Sequence, residues 1–414
     1  MREQNEIIDS SEQSYTFVKS LPSLPALVPP EPMEKAKAEK TMTDYLLTQH
    51  LGFDELSFNP IDSLILSSLV YLDFDLVDFG DVGSPEPLPV IDVLRFCDFE
   101  RLIALSWLKN SDEVPLFLDA FARNRRFAKL GCCLYVSEQS DNIDKQFAAV
   151  SFLAPDMGVY VAFRGTDGSV VGWKEDFALS YKDVIPSQRS AERYLSGVAS
   201  CFPEAFPLRV GGHSKGGNLA EFASATVHPD VFERISNIYN HDGPAFLNDP
   251  SPRYSSQEYQ EKLAKFVPES SIFGMILEHS DNPKIVASCA SSFFQHRPTS
   301  WLISGNDFKY CDVQSQSARF FDEALDSWLK SCSSSQRDAF LTAIFELVED
   351  TDCTSWKEFQ AQLPTNLAKV LRNTRNLDAQ TKEAIFETLS HLTNVLKDMT
   401  SDRLRGFLGK FFVR

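Results

Sequence analysis

Apolar residues recur at helical spacing along the first third of the chain, from Met42 to about residue 127, which predicts a series of amphipathic helices. The spacing then changes to two β-type runs at 147–153 and 159–163. A short turn rich in Pro, Asp and Gly separates these two runs, and this combination predicts a β-hairpin.

Downstream of the hairpin, short β-type runs alternate with helical stretches. Helical spacing recurs around 188–201, and the β-type runs lie within 235–246, 262–277 and 300–308. Such alternation is typical of an α/β protein with a mostly parallel sheet and helices on both faces. In sheets of this kind the functional groups collect beyond the carboxyl ends of the strands. Candidate catalytic residues are therefore expected just after the strands.

Both ends of the chain differ from this middle part. Residues 1–40 are polar and contain several prolines without periodicity, which predicts a flexible leader. From Gln314 onward amphipathic helical patterns recur without a strand signal, so residues 314–414 are predicted to form an all-helical C-terminal region. The α/β domain then spans residues 41–313. We expect the helical region to dock beside the active-site edge of the sheet.

A glycine-rich stretch, "GGHSKGGNLA", contains the strongest candidate for chemistry. Ser214 is the central residue of a G-x-S-x-G pattern that follows a short β-type run and precedes a helical one. In serine hydrolases this pattern forms a strained turn between a strand and a helix, with the serine as nucleophile. The alternative is a glycine-rich turn in which Ser214 only caps the helix.

A serine hydroxyl becomes a good nucleophile only when a base removes its proton, so a histidine is required. Of the seven histidines, His241, His279 and His296 follow the serine and lie near the ends of strands. The order serine, acid, histidine along the chain is typical of this class of fold. His296 fits best because it comes last and precedes the final β-type run.

The acid that holds the histidine has three candidates, each placed after a strand. Asp242 ranks first, because it ends a β-type run and is followed by a Gly-Pro turn. Glu269 ranks second, and Asp281 lies further into a loop. Any of them is alternatively a helix cap or a strand terminus.

An oxyanion hole requires two backbone N–H groups that point at the developing negative charge. Lys215 follows the nucleophile and is expected to supply one, and Thr166, in the loop after an earlier strand, is expected to supply the other. The neighbouring Arg164 is interpreted as a structural salt-bridge partner. For the Lys215 side chain two interpretations remain: its ammonium extends to water, or it binds an anionic group of the substrate.

Two motifs together resemble a known family. "VAFRGTDG…W..D", followed some fifty residues later by "GGHSKGGNLA", resembles the class 3 (fungal-type) lipases of the α/β-hydrolase fold. The chain is most similar to an uncharacterised bacterial family of such lipase-like hydrolases, in which a DGP turn and a QH element recur, here at 242–244 and 295–296. The likeness covers roughly residues 42–311 and extends to the helical tail.

The resemblance implies a role for each matched residue. Ser214 is the implied nucleophile and His296 the base, while Thr166 and Lys215 are the implied oxyanion donors. Class 3 lipases carry their acid just after the strand that corresponds to "KFVPESSIFG", where this chain has Glu269. The resemblance and the ranking by position therefore favour different acids.

Composition and charge restrict the partners. The 414 residues carry a net charge of −18, which argues against binding to nucleic acid and against charge-driven docking on anionic membranes. No apolar stretch is long enough for a membrane span, and the first fifteen residues lack the apolar core of a secretory signal. Eight scattered cysteines without C-x-x-C spacing are typical of reduced thiols, so a cytoplasmic location is expected. No metal or other cofactor is implied.

The sequence thus predicts a serine hydrolase that cleaves a small-molecule or lipid carboxylic ester through an acyl-enzyme. The alternative is a catalytically inactive, lipase-like scaffold that binds a partner. A protease or amidase that uses the same residues is a third interpretation.

Overall fold

The computed structural model describes residues 39–79, 85–96, 113–167, 169–269, 271, 274, 283–290 and 295–312. The predicted leader up to residue 38, the helical region from residue 314, and Asp281 and His279 lie outside the described residues. The remainder contains most of the predicted α/β domain and the other candidate site residues.

From the predicted hairpin onward, helices and strands alternate as the hydrophobic pattern predicts. The α-helices are α1 Met42–Thr48, α2 Pro60–Leu69, α3 Val90–Phe96, α4 Glu113–Arg123, α5 Val170–Ala178, α6 Pro186–Cys201, α7 Lys215–Thr226, α8 Pro229–Arg234 and α9 Gln257–Lys262. The strands are β1 Leu88–Pro89, β2 Gly131–Ser140, β3 Lys145–Ala154, β4 Gly158–Phe163, β5 Leu208–His213, β6 Ile235–His241, β7 Leu263–Pro268, β8 Lys284–Val286, β9 Ile303–Ser304 and β10 Asp307–Phe308.

Strands β1 to β8 form one sheet in sequential order. The pairs from β1 to β4 are antiparallel, and the pairs from β4 to β8 are parallel. Helices pack on the sheet, as in α/β-hydrolases, so the predicted fold class is confirmed. The predicted hairpin is the β3–β4 pair. Strands β9 and β10 form a separate two-stranded sheet.

One long strand was not predicted from the sequence. Strand β2 spans ten residues and pairs with β3 along most of its length. Its register shifts between Cys133 and Val136, and Leu134 within that bulge has a φ of 55°. Because the bulge inserts residues into the strand, the alternation that reveals strands in sequence is broken.

The two faces of the sheet bury separate hydrophobic cores. From β4, Tyr160 and Ala162 pack into the core that contains α2, while Val159, Val161 and Phe163 pack against α6 and α7. A strand with both faces covered is buried along its whole length, and all six residues of β4 are buried. Such a strand holds the loop that follows it in a constant position.

The carboxyl ends of the central parallel strands meet at one edge of the sheet. Phe163 of β4 pairs with Gly212 of β5, and His213 of β5 pairs with His241 of β6. The residues that follow these strands, among them Ser214 and Asp242, are therefore neighbours at that edge. This is the placement that the sequence predicts for catalytic groups.

A buried polar chain links helix α2 to the sheet below it. The Nε2 atom of His241 lies 2.8 Å from the Ser63 hydroxyl, which lies 2.7 Å from the Tyr160 hydroxyl. Tyr160 in turn contacts the Ser67 hydroxyl at 2.8 Å. All of these side chains are buried, so their polar atoms depend on one another for hydrogen bonds.

We expect the stability of the folded chain to fall as the pH drops below the ordinary pKa of histidine. Burial lowers the pKa of His241 from 6.5 to about 3, so only the unfolded chain takes up a proton there near pH 6. The stability that depends on neutral His241 is therefore present above about pH 6.5 and is lost progressively as the pH falls toward about 3. Between about pH 7 and about pH 5.5 the loss from this residue is about 1 kcal/mol, measurable by urea denaturation.

His241→Gln is expected to show a flatter dependence of unfolding free energy on pH, because the group that titrates only in the unfolded chain is gone. His228→Gln is the matched control for the loss of a histidine, since His228 is mostly exposed, and its slope should stay steeper than that of His241→Gln. If the unfolding free energies of His241→Gln and of the wild type change equally with pH, the assignment of this pH dependence to His241 is wrong.

Candidate active site

Ser214 lies at the turn between β5 and α7, where its pattern predicts a strained residue. Its φ of 58° and ψ of −134° are rare for a residue other than glycine. The Ser214 N–H donates to the His241 carbonyl at 2.9 Å, and its carbonyl accepts from the Gly217 N–H at 2.8 Å. The side chain makes no capping hydrogen bond to the helix, so the interpretation of Ser214 as a mere cap is wrong.

Glycines around the serine are required by close contacts. A Cβ on Gly212 would lie 2.3 Å from the carbonyl carbon of Gly216, and one on Gly216 would lie 2.2 Å from the Phe163 carbonyl oxygen. A Cβ on Gly165 would lie 3.1 Å from the Cβ of Ser214. The loop after β4 therefore runs directly beside the candidate nucleophile.

His296 and Asp242 are brought together by the fold, although 54 positions separate them in the sequence. The Nδ1 atom of His296 lies 2.6 Å from Oδ2 of Asp242. The other Asp242 oxygen accepts from the Gly274 N–H at 3.1 Å and from the Ser271 hydroxyl. Asp242 is fully buried, whereas the His296 side chain is 21% exposed. A buried carboxylate satisfied by three donors is suited to orient an imidazole.

The other candidates for acid and base lie elsewhere or have other partners. Glu269 accepts from the Gln295 side chain at 3.4 Å and contacts the Cys311 thiol, with no hydrogen bond to His296 among the described contacts. His241 is buried and bonded to Ser63. Of the three carboxylates considered, the geometry therefore favours Asp242 over Glu269, and Asp281 lies outside the described residues.

His213, next to the serine, holds the loop that carries His296. Its Nε2 donates to the His296 carbonyl at 2.7 Å, and the two imidazole rings lie 4.5 Å apart. Burial, together with the nearby charge of His296, holds the pKa of His213 well below its usual value. A neutral His213 that donates from Nε2 leaves Nδ1 as an acceptor, and the Tyr71 hydroxyl lies 3.3 Å from that atom.

Thr166 is fixed through its side chain. Its hydroxyl donates to Oδ2 of Asp176, the last residue of the "W..D" element. Burial raises the pKa of Asp176 to about 6, and the positive charge of Lys215 partly offsets that rise. Arg164, just before Thr166, is buried and faces Asp167 at 3.8 Å, which confirms its expected role as a salt-bridge partner.

The position of the Lys215 side chain corrects both interpretations made from sequence. The ammonium is buried and reaches neither water nor the candidate substrate site. It donates to the Gln146 carbonyl at 2.9 Å, to the Gln146 side-chain oxygen at 2.9 Å and to Glu175 at 3.0 Å. The lysine side chain therefore points into the protein, toward Gln146 of β3 and Glu175 of α5.

The sequence did not assign Gln146, Glu175, Asp176 or Ser271 to the site. Asp176 belongs to the motif quoted for the family resemblance, which was the one signal available for it. The other three contact the candidate site only through the tertiary fold. Among the described residues no group of three or more His, Cys, Asp or Glu side chains is arranged to hold a metal ion, and no described helix is long and apolar enough to cross a membrane.

Comparison with known proteins gives one match. The family model described as Mbeg1-like matches residues 121–346, more than half of the chain. This range includes Ser214, Asp242 and His296 together with the loop of Thr166. Searches of curated proteins and of solved structures found no match. The chain belongs to the Mbeg1-like family, a lipase-like family.

Proposed function

We propose that this protein is a serine hydrolase that cleaves carboxylic esters, with Ser214 as nucleophile, His296 as base and Asp242 as acid. The observation that carries the proposal is the 2.6 Å hydrogen bond between His296 and the buried Asp242. This pair lies at the same edge of the sheet as the strained turn of Ser214. Membership in a lipase-like family favours the same reaction class.

The reaction follows from the roles of these three groups. The Ser214 hydroxyl attacks the acyl carbon while Nε2 of His296 accepts its proton, and Asp242 stabilises the resulting imidazolium through Nδ1. Collapse of the tetrahedral intermediate breaks the ester C–O bond, and His296 returns the proton to the leaving alcohol. Water, activated by the same histidine, then hydrolyses the acyl-enzyme to release the carboxylic acid and regenerate Ser214.

Negative charge on the acyl oxygen requires two donors, and we assign them to the backbone N–H groups of Lys215 and Thr166. Both residues have side chains held by carboxylates, the buried Glu175 for Lys215 and the partly exposed Asp176 for Thr166. Donors held in place before the reaction stabilise a developing oxyanion without the cost of reorganisation. This arrangement supports acyl transfer as the reaction class.

For the substrate we propose a small-molecule or lipid acyl ester, in line with the resemblance to a bacterial family of class 3 (fungal-type) lipase-like hydrolases, and for the location we propose the cytoplasm. The inactive scaffold predicted as an alternative differs from the enzyme in one measurable property, the reactivity of Ser214. An amidase or protease with the same triad would differ in its substrate preference.

Ser214→Ala is expected to lower hydrolysis of p-nitrophenyl esters by about three orders of magnitude or more, because the nucleophile is lost. A fluorophosphonate probe should label the wild type at Ser214, as read by mass spectrometry, and should leave the variant unlabelled. The thermal stability of the variant should be close to that of the wild type.

Ser200→Ala is the matched control, since Ser200 is exposed on α6 and its hydroxyl bonds only the helix backbone. Ser200→Ala should hydrolyse p-nitrophenyl esters and be labelled by the fluorophosphonate probe as the wild type is. A wild-type chain that is folded but resists the probe and hydrolyses no ester would establish the inactive scaffold instead.

Asp242→Asn is expected to lower the rate of ester hydrolysis by about three to four orders of magnitude, because an amide favours the wrong tautomer of the base. Glu269 bonds Gln295 rather than His296. Glu269→Gln, which keeps the shape of the side chain, should therefore change the rate little. Asp281→Asn should also be nearly neutral. If Glu269→Gln proves the damaging substitution, the acid occupies the class 3 lipase position and Asp242 is structural.

A further inference from the structure

The ammonium of Lys215 uses all of its donors inside the protein. A lysine has three N–H groups, and here they meet two oxygens of Gln146 and one of Glu175 at 2.9 to 3.0 Å. The side chains of Lys215 and Glu175 are both completely buried. The cation is therefore held at one point, between β3 and α5.

Glu175 is held equally tightly by other elements. One carboxylate oxygen accepts from the Gln146 N–H at 2.9 Å and the Ser187 hydroxyl at 2.7 Å, and the other accepts from the Ser187 N–H at 2.9 Å. Gln146 belongs to β3 and Ser187 to the first turn of α6. The ion pair thus connects the first residue of α7 to three other elements of the domain.

A buried ion pair of this kind is not an efficient way to stabilise a fold. Removing two charges from water costs several kcal/mol for each ion, and apolar residues of similar volume often stabilise a protein as well or better. A lysine in the first turn of a helix also faces the positive end of the helix dipole. A requirement for exact placement of the residue explains a lysine here better than a requirement for stability.

The residue so placed is the one that follows the nucleophile. Gly216 and Gly217 come next and have no side chains, so up to Asn218 the side chain of Lys215 is the one that anchors the helical side of the turn. Its ammonium also lies 3.8 Å from Asp176, which binds the Thr166 hydroxyl. One cation therefore lies between the carboxylates that hold the residues of both assigned oxyanion donors.

We propose that Lys215 is a positioning residue, whose buried ion pair with Glu175 fixes its own backbone N–H toward the acyl oxygen of the substrate. The inference rests on the proposed ester hydrolysis and adds the device that forms the oxyanion hole. It also removes the Lys215 side chain from substrate recognition, since all three N–H groups of its ammonium are engaged within the protein. Selection among esters must depend on other groups.

Two variants test the role of the ion pair. Lys215→Met removes the charge but leaves Glu175 buried without its cation, which is destabilising. The double variant Lys215→Met/Glu175→Gln removes both charges and is expected to fold better. Lys145→Met is the matched control, because Lys145 forms an ion pair with Glu138 one residue before Gln146 on the same strand.

The measurements are kcat and KM for a p-nitrophenyl ester, the inhibition constant of an alkyl trifluoromethyl ketone, and the melting temperature. Both Lys215 variants should lower kcat by about one to two orders of magnitude with little change in KM, because the lost interaction acts on the transition state. The inhibition constant of the ketone, whose adduct places an oxyanion in the same hole, should rise in parallel. Lys145→Met should leave all of these kinetic values unchanged.

The pH profile gives a second readout. Burial and the neighbouring charge of Glu175 raise the pKa of Asp176. Lys215 lowers this pKa, and so do Thr166 and His296. Without the lysine the pKa of Asp176 rises above about 6, so its carboxylate is protonated at higher pH. The acid limb of the rate profile of Lys215→Met should therefore move to higher pH.

The outcomes separate the two proposals. If the wild type is active and the double variant keeps kcat within about twofold, with an unchanged inhibition constant and only a lower melting temperature, Lys215 is structural and the positioning role is wrong. If the folded wild type neither hydrolyses esters nor reacts with fluorophosphonate at Ser214, the proposed function fails and the positioning role fails with it.

Discussion

Helix α7 approaches the central strands so closely that Gly216 has no room for a side chain against the carbonyl of Phe163. This contact forces the sharp turn in which Ser214 adopts a positive φ. The residue before Gly216 is Lys215, whose buried ammonium is neutralised within the protein by Glu175. The geometry of the candidate site, on both sides of the serine, depends on this single close approach.

Each group at the proposed site is positioned by a second buried group. Asp242 is held by Gly274 and Ser271, and it in turn orients His296. The loop of His296 is also bound by His213 through its carbonyl. Few of these contacts face solvent, so the hydrogen bonds act in a low-dielectric environment, where they are strong and where a missing partner is costly. Rigid donors and acceptors of this kind are what acyl transfer requires.

Much of the candidate site could be predicted because its residues follow strands. Ser214, Asp242 and Thr166 come directly or shortly after β5, β6 and β4, and parallel strands deliver such residues to one edge. Strand β2 could not be predicted, because its bulge breaks the alternation of apolar and polar residues. The side chain of Lys215 was misjudged, since position on a helix does not say what covers that face of the helix.

The sequence by itself determined the α/β fold class, the strained serine turn and a short set of candidate partners, because hydrophobic period and glycine spacing are local properties of the chain. Tertiary structure alone decided which carboxylate lies beside His296, since Asp242 and Glu269 both follow strands and differ only in where their side chains reach. It alone also decided that Lys215 pairs with Glu175. Contacts between residues distant in sequence depend on how the layers pack, and no local pattern encodes that packing.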